Sequence, residues 1–244
     1  MAARGLSATE IGRVLDCPRS TVRAWLTPTA RSADGRDATC CSGCGAVHLT
    51  AETEPAAYAY LLGLYLGDGC ISAHARGVFR LRITLDTRHP GIIEECRVAL
   101  SAVAPRNKVG VRLRSGGFET SMPDSNVELS VYAKWWPCVL PQHGRGRKHE
   151  RPIVLEGWQE RLVDEHPGRL LRGLIHSDGC RFVNTGTNWR SPRYSFSNRS
   201  ADIRQIFCGA CDRLGLRWTL APHTVYVSRK DDVARLDEFV GPKR

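Results

Sequence analysis

The chain has 244 residues and a formal charge of +10, from 35 Lys plus Arg against 25 Asp plus Glu. Its 42% hydrophobic content is enough for a folded core and excludes wholesale disorder. The longest apolar run, residues 56–66, is far shorter than the roughly 20 residues that cross a bilayer, so a membrane protein is excluded. Only five of the basic residues are lysines, and this excess of arginine favours nucleic acid as the acidic partner.

The N-terminus lacks the apolar stretch of a secretory signal, so we expect a cytoplasmic protein. In that compartment the ten cysteines are expected to be thiols or metal ligands rather than disulfides. Cys208 and Cys211 have a metal-ligand spacing but lie on a predicted helix. We therefore expect these two side chains in the core.

Residues 1–27 predict two short helices around a tight turn, a pattern that resembles a helix-turn-helix. Its second helix would be the recognition helix, with Arg19, Ser20 and Arg23 placed to contact phosphates or bases. The turn contains Pro18 where glycine is common, and no third helix is evident. A small helical hairpin packed on the main body is the alternative.

Residues 28–54 predict a linker that contains a cysteine cluster. Cys41, Cys44 and His48 have the spacing of half a structural Zn²⁺ site, with Cys40 as a competitor for the first position. The fourth ligand would have to come from a distance, from Cys138, His143 or His149. A thiol cluster without metal is the alternative.

The remaining chain contains an internal repeat. The ten residues 61–70, LLGLYLGDGC, recur as LRGLIHSDGC at 171–180, which places aspartates at 68 and 178. Alternation and helical periodicity after each copy predict the same element order, α-β-β-α-β-β-α. In the first half we expect strands within 71–85, a helix over 92–103, strands over 109–113 and 127–132, and a helix from about 135. In the second half we expect strands within 181–198, a helix over 203–214, strands over 216–220 and 224–228, and a helix over 233–240.

The repeat predicts an α+β fold with two pseudo-symmetric halves, residues 55–155 and 156–244, and the N-terminal helical module in front. Small residues at i and i+4, Gly63 with Gly67 and Gly173 with Ser177, would let the two motif helices pack side by side. We expect a monomer with internal pseudo-twofold symmetry.

Asp68 and Asp178 are predicted to lie at the C-terminal ends of these helices, because the glycine after each can end a helix. Carboxylates there face the negative end of the helix dipole and repel each other unless a cation lies between them. Two carboxylates beside phosphate suit Mg²⁺, which favours metal-assisted hydrolysis of phosphodiesters. The alternative is that both aspartates only cap a packed helix pair.

Both copies resemble the LAGLIDADG motif of homing endonucleases in the two-repeat, single-chain form, and the resemblance covers residues 55–244. It implies that Asp68 and Asp178 are catalytic and carry the Mg²⁺. It also implies basic residues around the scissile phosphates, which map onto Lys134 and Lys230, with Arg229 as an alternative to Lys230.

Arginines recur on one face of the predicted strands. The period of two puts Arg80 and Arg82 opposite apolar residues, and Arg112, Arg114 and Arg193 follow the same pattern. Arginine at outward positions suits phosphates and major-groove edges. The resemblance implies that each half contributes a saddle-shaped antiparallel sheet that lies along double-stranded DNA.

The sequence therefore predicts a sequence-specific, Mg²⁺-dependent endonuclease of homing type that cuts double-stranded DNA. Two alternatives remain open at this point. A non-cleaving transcriptional regulator built on the same fold would have no need for two converging carboxylates. An RNA maturase would bind structured intron RNA, and nothing in the sequence separates this from DNA binding.

Overall fold

The computed structural model describes residues 54–114 and 125–241, together with Lys243. The N-terminal module with Arg19, Ser20 and Arg23 lies outside the described residues. So do the predicted zinc ligands Cys41, Cys44 and His48, and these predictions stay untested.

The first half has the predicted element order. Its elements are α1 (Pro55–Gly67), β1 (Gly69–Ala73), β2 (Phe79–Asp86), α2 (Pro90–Val103), β3 (Gly110–Arg114), β4 (Asn126–Ala133) and α3 (Trp136–Val139). The last helix is only one turn long, because Pro141 has no backbone N–H to continue it and disfavours helical geometry at the residue before it.

The second half repeats this order behind one extra helix. Its elements are α4 (Gly157–Glu165), α5 (Pro167–Asp178), β5 (Gly179–Gly186), β6 (Trp189–Ser197), α6 (Ala201–Arg213), β7 (Thr219–Leu220), β8 (Thr224–Val227) and α7 (Lys230–Phe239). The extra helix α4 was not predicted. Its signal is a capping box, in which Gln159 Oε1 accepts from the N–H of Glu156 at 2.9 Å. No helix in the described part of the chain is long and apolar enough to cross a membrane.

The two halves contain antiparallel sheets with the same strand order, β1-β2-β4-β3 and β5-β6-β8-β7. This confirms the α+β fold class and the pseudo-symmetry. The register also fixes which positions correspond: Arg82 pairs with Cys70 and Ser130, as Ser195 pairs with Cys180 and Tyr226. β2 and β6 alternate as predicted, since Leu81, Ile83, Tyr194 and Phe196 are buried towards the helices. The prediction is wrong for β3, an edge strand whose Val111 and Leu113 are exposed.

The centre of the molecule is the packing of α1 against α5. Residues 57–66 of α1 are all buried, as a helix enclosed between two halves must be. The backbones approach closely at Gly63, where an added Cβ would lie 2.6 Å from Leu170 O, and Gly173 faces Gly63 across the contact. Only glycine allows this approach, because a larger side chain would meet main-chain atoms that cannot move aside.

Polar contacts also join the halves. Glu95 of α2 accepts from Arg169 Nη1 at 3.1 Å and from Arg172 Nε at 2.8 Å, both on α5. Below them, the Tyr60 hydroxyl and His176 Nδ1 are 2.9 Å apart. Burial lowers the pKa of His176 to about 4, so its imidazole is neutral at pH 7. The halves therefore share one core and one ionic seam.

Candidate active site

The two motif helices end side by side, and each ends at an aspartate. Asp68 follows Gly67, the last residue of α1, and its N–H donates to Leu64 O at 3.0 Å. Asp178 is the last residue of α5. A Cβ added at Gly67 would lie 3.2 Å from Asp178 Oδ2, so this carboxylate lies against the end of α1. Asp68 and Asp178 therefore lie close together at the ends of the two motif helices, as the sequence predicts.

The surroundings of these two carboxyl groups disfavour their charged forms. Asp68 exposes part of its surface, yet the protein around its carboxyl and then the charge of Asp178 raise its pKa to about 6. Burial also raises the pKa of Asp178, against a hydrogen bond that Asn198 Nδ2 donates to Oδ2 at 2.7 Å. Such a pair is poised to take up a proton or a cation.

Lys148 lies at the end of the first motif helix. Its ammonium group donates to Leu66 O at 3.1 Å, to Gly67 O at 3.0 Å and to Tyr65 O, and it lies 4.8 Å from the centre of the Tyr65 ring. It thus satisfies three carbonyls at the negative end of the α1 dipole. Burial lowers its pKa to about 8, although the charges of Asp178 and Asp68 act in the opposite direction.

Lys243 has the corresponding place in the second half. Its Nζ donates to Ser177 O at 3.4 Å, one residue before Asp178. Burial lowers its pKa, and the nearby charge of Asp68, then Cys180 and Asp178, raises it. Two cations therefore accompany the two carboxylates, one at the end of each motif helix.

Two clefts lie near the end of α1, and Asp68 lines the larger of them. The larger has a volume of about 500 Å³, and the smaller, of about 280 Å³, lies beside Lys148. Polar residues line the larger cleft, among them Asp68, Asp86, Arg88, Asn126, Cys180 and Lys243. This polar lining, with cations close to the carboxylates, suits a charged ligand better than an apolar one.

The lysines expected from the sequence lie elsewhere. Lys134 is exposed in the turn after β4, and Lys230 is exposed as the first residue of α7. The two cations whose charges act on both aspartates are instead Lys148 and Lys243. The sequence did contain a signal for Lys148 and Lys243, because each follows the last helix of its half. No strand or helix pattern covers them, so periodicity had no means of placing their side chains.

The predicted arginine face lies on the side of each sheet away from the helices. Arg80 and Arg82 of β2 and Arg193 of β6 alternate with residues that are buried towards the helices. Arg112 of β3 is exposed, and so are its neighbours Val111 and Leu113. The Arg114 side chain lies outside the described residues. Glu128, which no sequence pattern singled out, lies on this same face beside Arg80, with its side chain 1% exposed.

The described cysteines do not form a metal centre. Cys208 and Cys211 are buried in the core on α6, as predicted. Among the residues that the structure describes, no group of three or more His, Cys, Asp or Glu side chains is arranged to hold a metal ion. Any metal bound at the aspartate pair would therefore take its other ligands from substrate or water.

No protein-family model matches the sequence, and no curated protein matches it. Among solved structures, the chain is similar to the N-terminal LAGLIDADG domain of DUF199/WhiA, with 11% identity, a TM-score of 0.47, and 78% of this chain and 84% of that chain covered. It is also similar to the homing endonuclease I-WcaI bound to its DNA recognition sequence, with 12% identity, a TM-score of 0.48, and coverage of 78% and 82%. The LAGLIDADG meganuclease I-AabMI bound to uncleaved DNA is 13% identical, with a TM-score of 0.44 and coverage of 75% and 82%. Identities this low transfer no function.

Proposed function

We propose that the protein is a sequence-specific endonuclease that hydrolyses phosphodiester bonds in double-stranded DNA with Mg²⁺ or a similar divalent ion. The observation that carries this proposal is the pair Asp68 and Asp178 at adjoining helix ends. Both carboxyl groups have a raised pKa. A fold gains no stability from forcing two carboxylates together, so the arrangement favours a bound cation.

The donor atoms at this site fit a hard divalent ion. Mg²⁺ commonly binds through one or two carboxylates and takes its other ligands from phosphate oxygens and waters, which is what this pair offers. Asp68 and Asp178 would hold the metal, which supplies an activated water and stabilises the leaving oxygen when bound. Asn198 would orient the Asp178 carboxylate through its hydrogen bond.

Lys148 and Lys243 would take the role that the resemblance to homing endonucleases implies for Lys134 and Lys230. The charges of both carboxylates act on both ammonium groups, so these lysines would also act on a phosphate bound at the aspartate pair. There they would stabilise the negative charge that develops on the phosphate during hydrolysis. Because Lys148 already donates to three backbone carbonyls, it would act on the phosphate through its charge rather than through a hydrogen bond.

The substrate follows from the sheets on both sides of this site. Arg80, Arg82, Arg112 and Arg193 present positive charge along two sheets related by pseudo-symmetry, a length that suits a duplex rather than a small ligand. Because the halves differ in sequence, we propose a long target that is only loosely palindromic. The N-terminal module would add contacts on one side.

The direct test is cleavage of a randomised duplex library by the full chain, with and without Mg²⁺. We expect cleavage only with the metal, and we expect Asp68→Asn and Asp178→Asn to abolish it while both variants still bind the selected duplex. Glu160→Gln, which removes an exposed carboxylate on α4, is the matched control. Undiminished cutting by both aspartate variants would overturn the proposal.

One observation favours a second candidate, a DNA-binding regulator that does not cut. Lys148 and Lys243 already balance the charges of Asp68 and Asp178, so the site is electrically neutral without a metal. In that case the selected duplex would be bound tightly and never nicked in Mg²⁺. Thermal unfolding of the wild type would also be unaffected by Mg²⁺.

A further inference from the structure

An ionic cluster of Arg80, Arg82 and Glu128 lies on the outward face of the first sheet. Arg80 Nη2 donates to Glu128 Oε1 at 2.6 Å and to Ser130 Oγ at 3.1 Å. Arg82 Nη1 lies 3.7 Å from Glu128 Oε2. One carboxylate therefore holds two guanidinium groups from the neighbouring strand.

Both guanidinium groups are fixed by further contacts. Arg82 Nη2 donates to Cys70 Sγ at 3.6 Å, and Arg80 lies 5.4 Å from the centre of the Tyr132 ring. The Glu128 side chain is only 1% exposed, whereas those of Arg80 and Arg82 are 20% and 28% exposed. The acid is thus enclosed, and the two arginine side chains are held in place while each stays partly exposed.

The second sheet lacks this cluster. The strand register places Arg193 where the first half has Arg80, Ser195 where it has Arg82, and Thr224 where it has Glu128. In place of the ion pairs, the hydroxyl oxygens of Thr224 and Ser197 are 2.8 Å apart. The two faces correspond in shape, but they carry different chemistry.

We propose that Glu128 is a positioning residue that holds Arg80 and Arg82 for guanine edges, so that the first half recognises G·C at two adjacent positions, where the second half has only Arg193. This inference rests on the proposed function. An arginine fork is bidentate to guanine O6 and N7, and a side chain fixed beforehand loses less entropy on binding. The buried carboxylate also repels phosphate, which directs the two forks towards base edges.

The test is selection of duplexes from a randomised library by the full chain without divalent metal, so that binding is measured and cleavage is absent. We expect guanines at adjacent positions in one half of the selected site alone. Glu128→Gln keeps the shape of the side chain and removes its charge. It should lower the discrimination at those positions at least about tenfold, the scale of one guanine contact.

Two further variants separate positioning from stability. Arg82→Ser copies the residue of the second half and should lose preference at one base pair only. Asp232→Asn, the matched control, removes another buried carboxylate that pairs with an arginine, Arg217, but lies on α7. It should lower the unfolding temperature and leave base preference unchanged.

The outcomes are distinct. Unchanged base preference in Glu128→Gln would overturn the inference and leave the proposed function intact. A uniform rise in affinity for all duplexes would do the same, because it would show that the carboxylate only repels DNA. Selected sites without guanine under either half would do the same. Failure of the wild type to bind any duplex at low salt would overturn both.

Discussion

The site aspartates are expected to reduce the stability of the fold, and Asp68→Asn tests this without any substrate. The pKa of Asp68 is 3.8 in the unfolded chain and about 6 in the folded protein. The folded state therefore binds the proton more tightly, and wild-type stability falls as pH rises from about 4 to about 6, then stays level. A shift of this size corresponds to at most about 3 kcal/mol. Because Asp68 is partly exposed and water screens its charge, we expect about 1 kcal/mol.

Asp68→Asn should accordingly be more stable than the wild type at pH 7.5, with a melting temperature about 2–4 °C higher. The difference should vanish at pH 4 and below, where the wild-type carboxyl is neutral. Mg²⁺ should stabilise the wild type and not the variant. The control is Asp86→Asn, because Arg88 lowers the pKa of Asp86 to about 2 and its removal should be destabilising at neutral pH. An Asp68→Asn variant that is less stable than wild type at pH 7.5 would refute the reasoning.

Further expectations concern the helix pair and the lysines. Gly63→Ala should destabilise the fold by about 2–3 kcal/mol in urea unfolding, because the new methyl meets Leu170 O. Gly110→Ala, whose methyl would make only van der Waals contact with Ser130, should cost less than about 1 kcal/mol. Lys148→Met should slow cleavage about 100-fold and change duplex affinity less than tenfold; equal losses in both would contradict a role in the chemistry. Cleavage should increase with pH through about 6, as Asp68 ionises, and decline above about 8, as Lys148 loses its proton. Lys148→Arg, whose charge does not titrate, should remove the alkaline decline and leave the acid limb in place.

Repetition made much of the fold predictable from the sequence. Two copies of one ten-residue motif defined the pseudo-symmetry, and glycines at 63 and 173 indicated the close helix contact that the structure contains. The period-two pattern placed Leu81 and Tyr194 towards the helices correctly. These features depend on local spacing, which a sequence displays directly.

What escaped prediction depends on contacts between distant segments. Lys148 reaches α1 from 81 positions along the chain, out of a stretch with no regular pattern. Glu128 alternates like an outward residue of any sheet, and only the register with β2 shows that two arginines enclose it. The helix α4 is a different case. Its capping box, formed by Glu156 and Gln159, is visible in the sequence, so this helix could have been predicted.

The glycine crossing between α1 and α5 has a consequence for how such a chain can diverge. The contact that joins the halves involves main-chain atoms around Gly63 and Gly173, together with Glu95 and its arginines. This contact does not involve the outward faces of the sheets. Each half is therefore free to accumulate substitutions in its own strands while the seam stays constant. Hybrids that join the first half of this chain to the second half of a relative should assemble wherever these contacts and the core shared by α1 and α5 are kept.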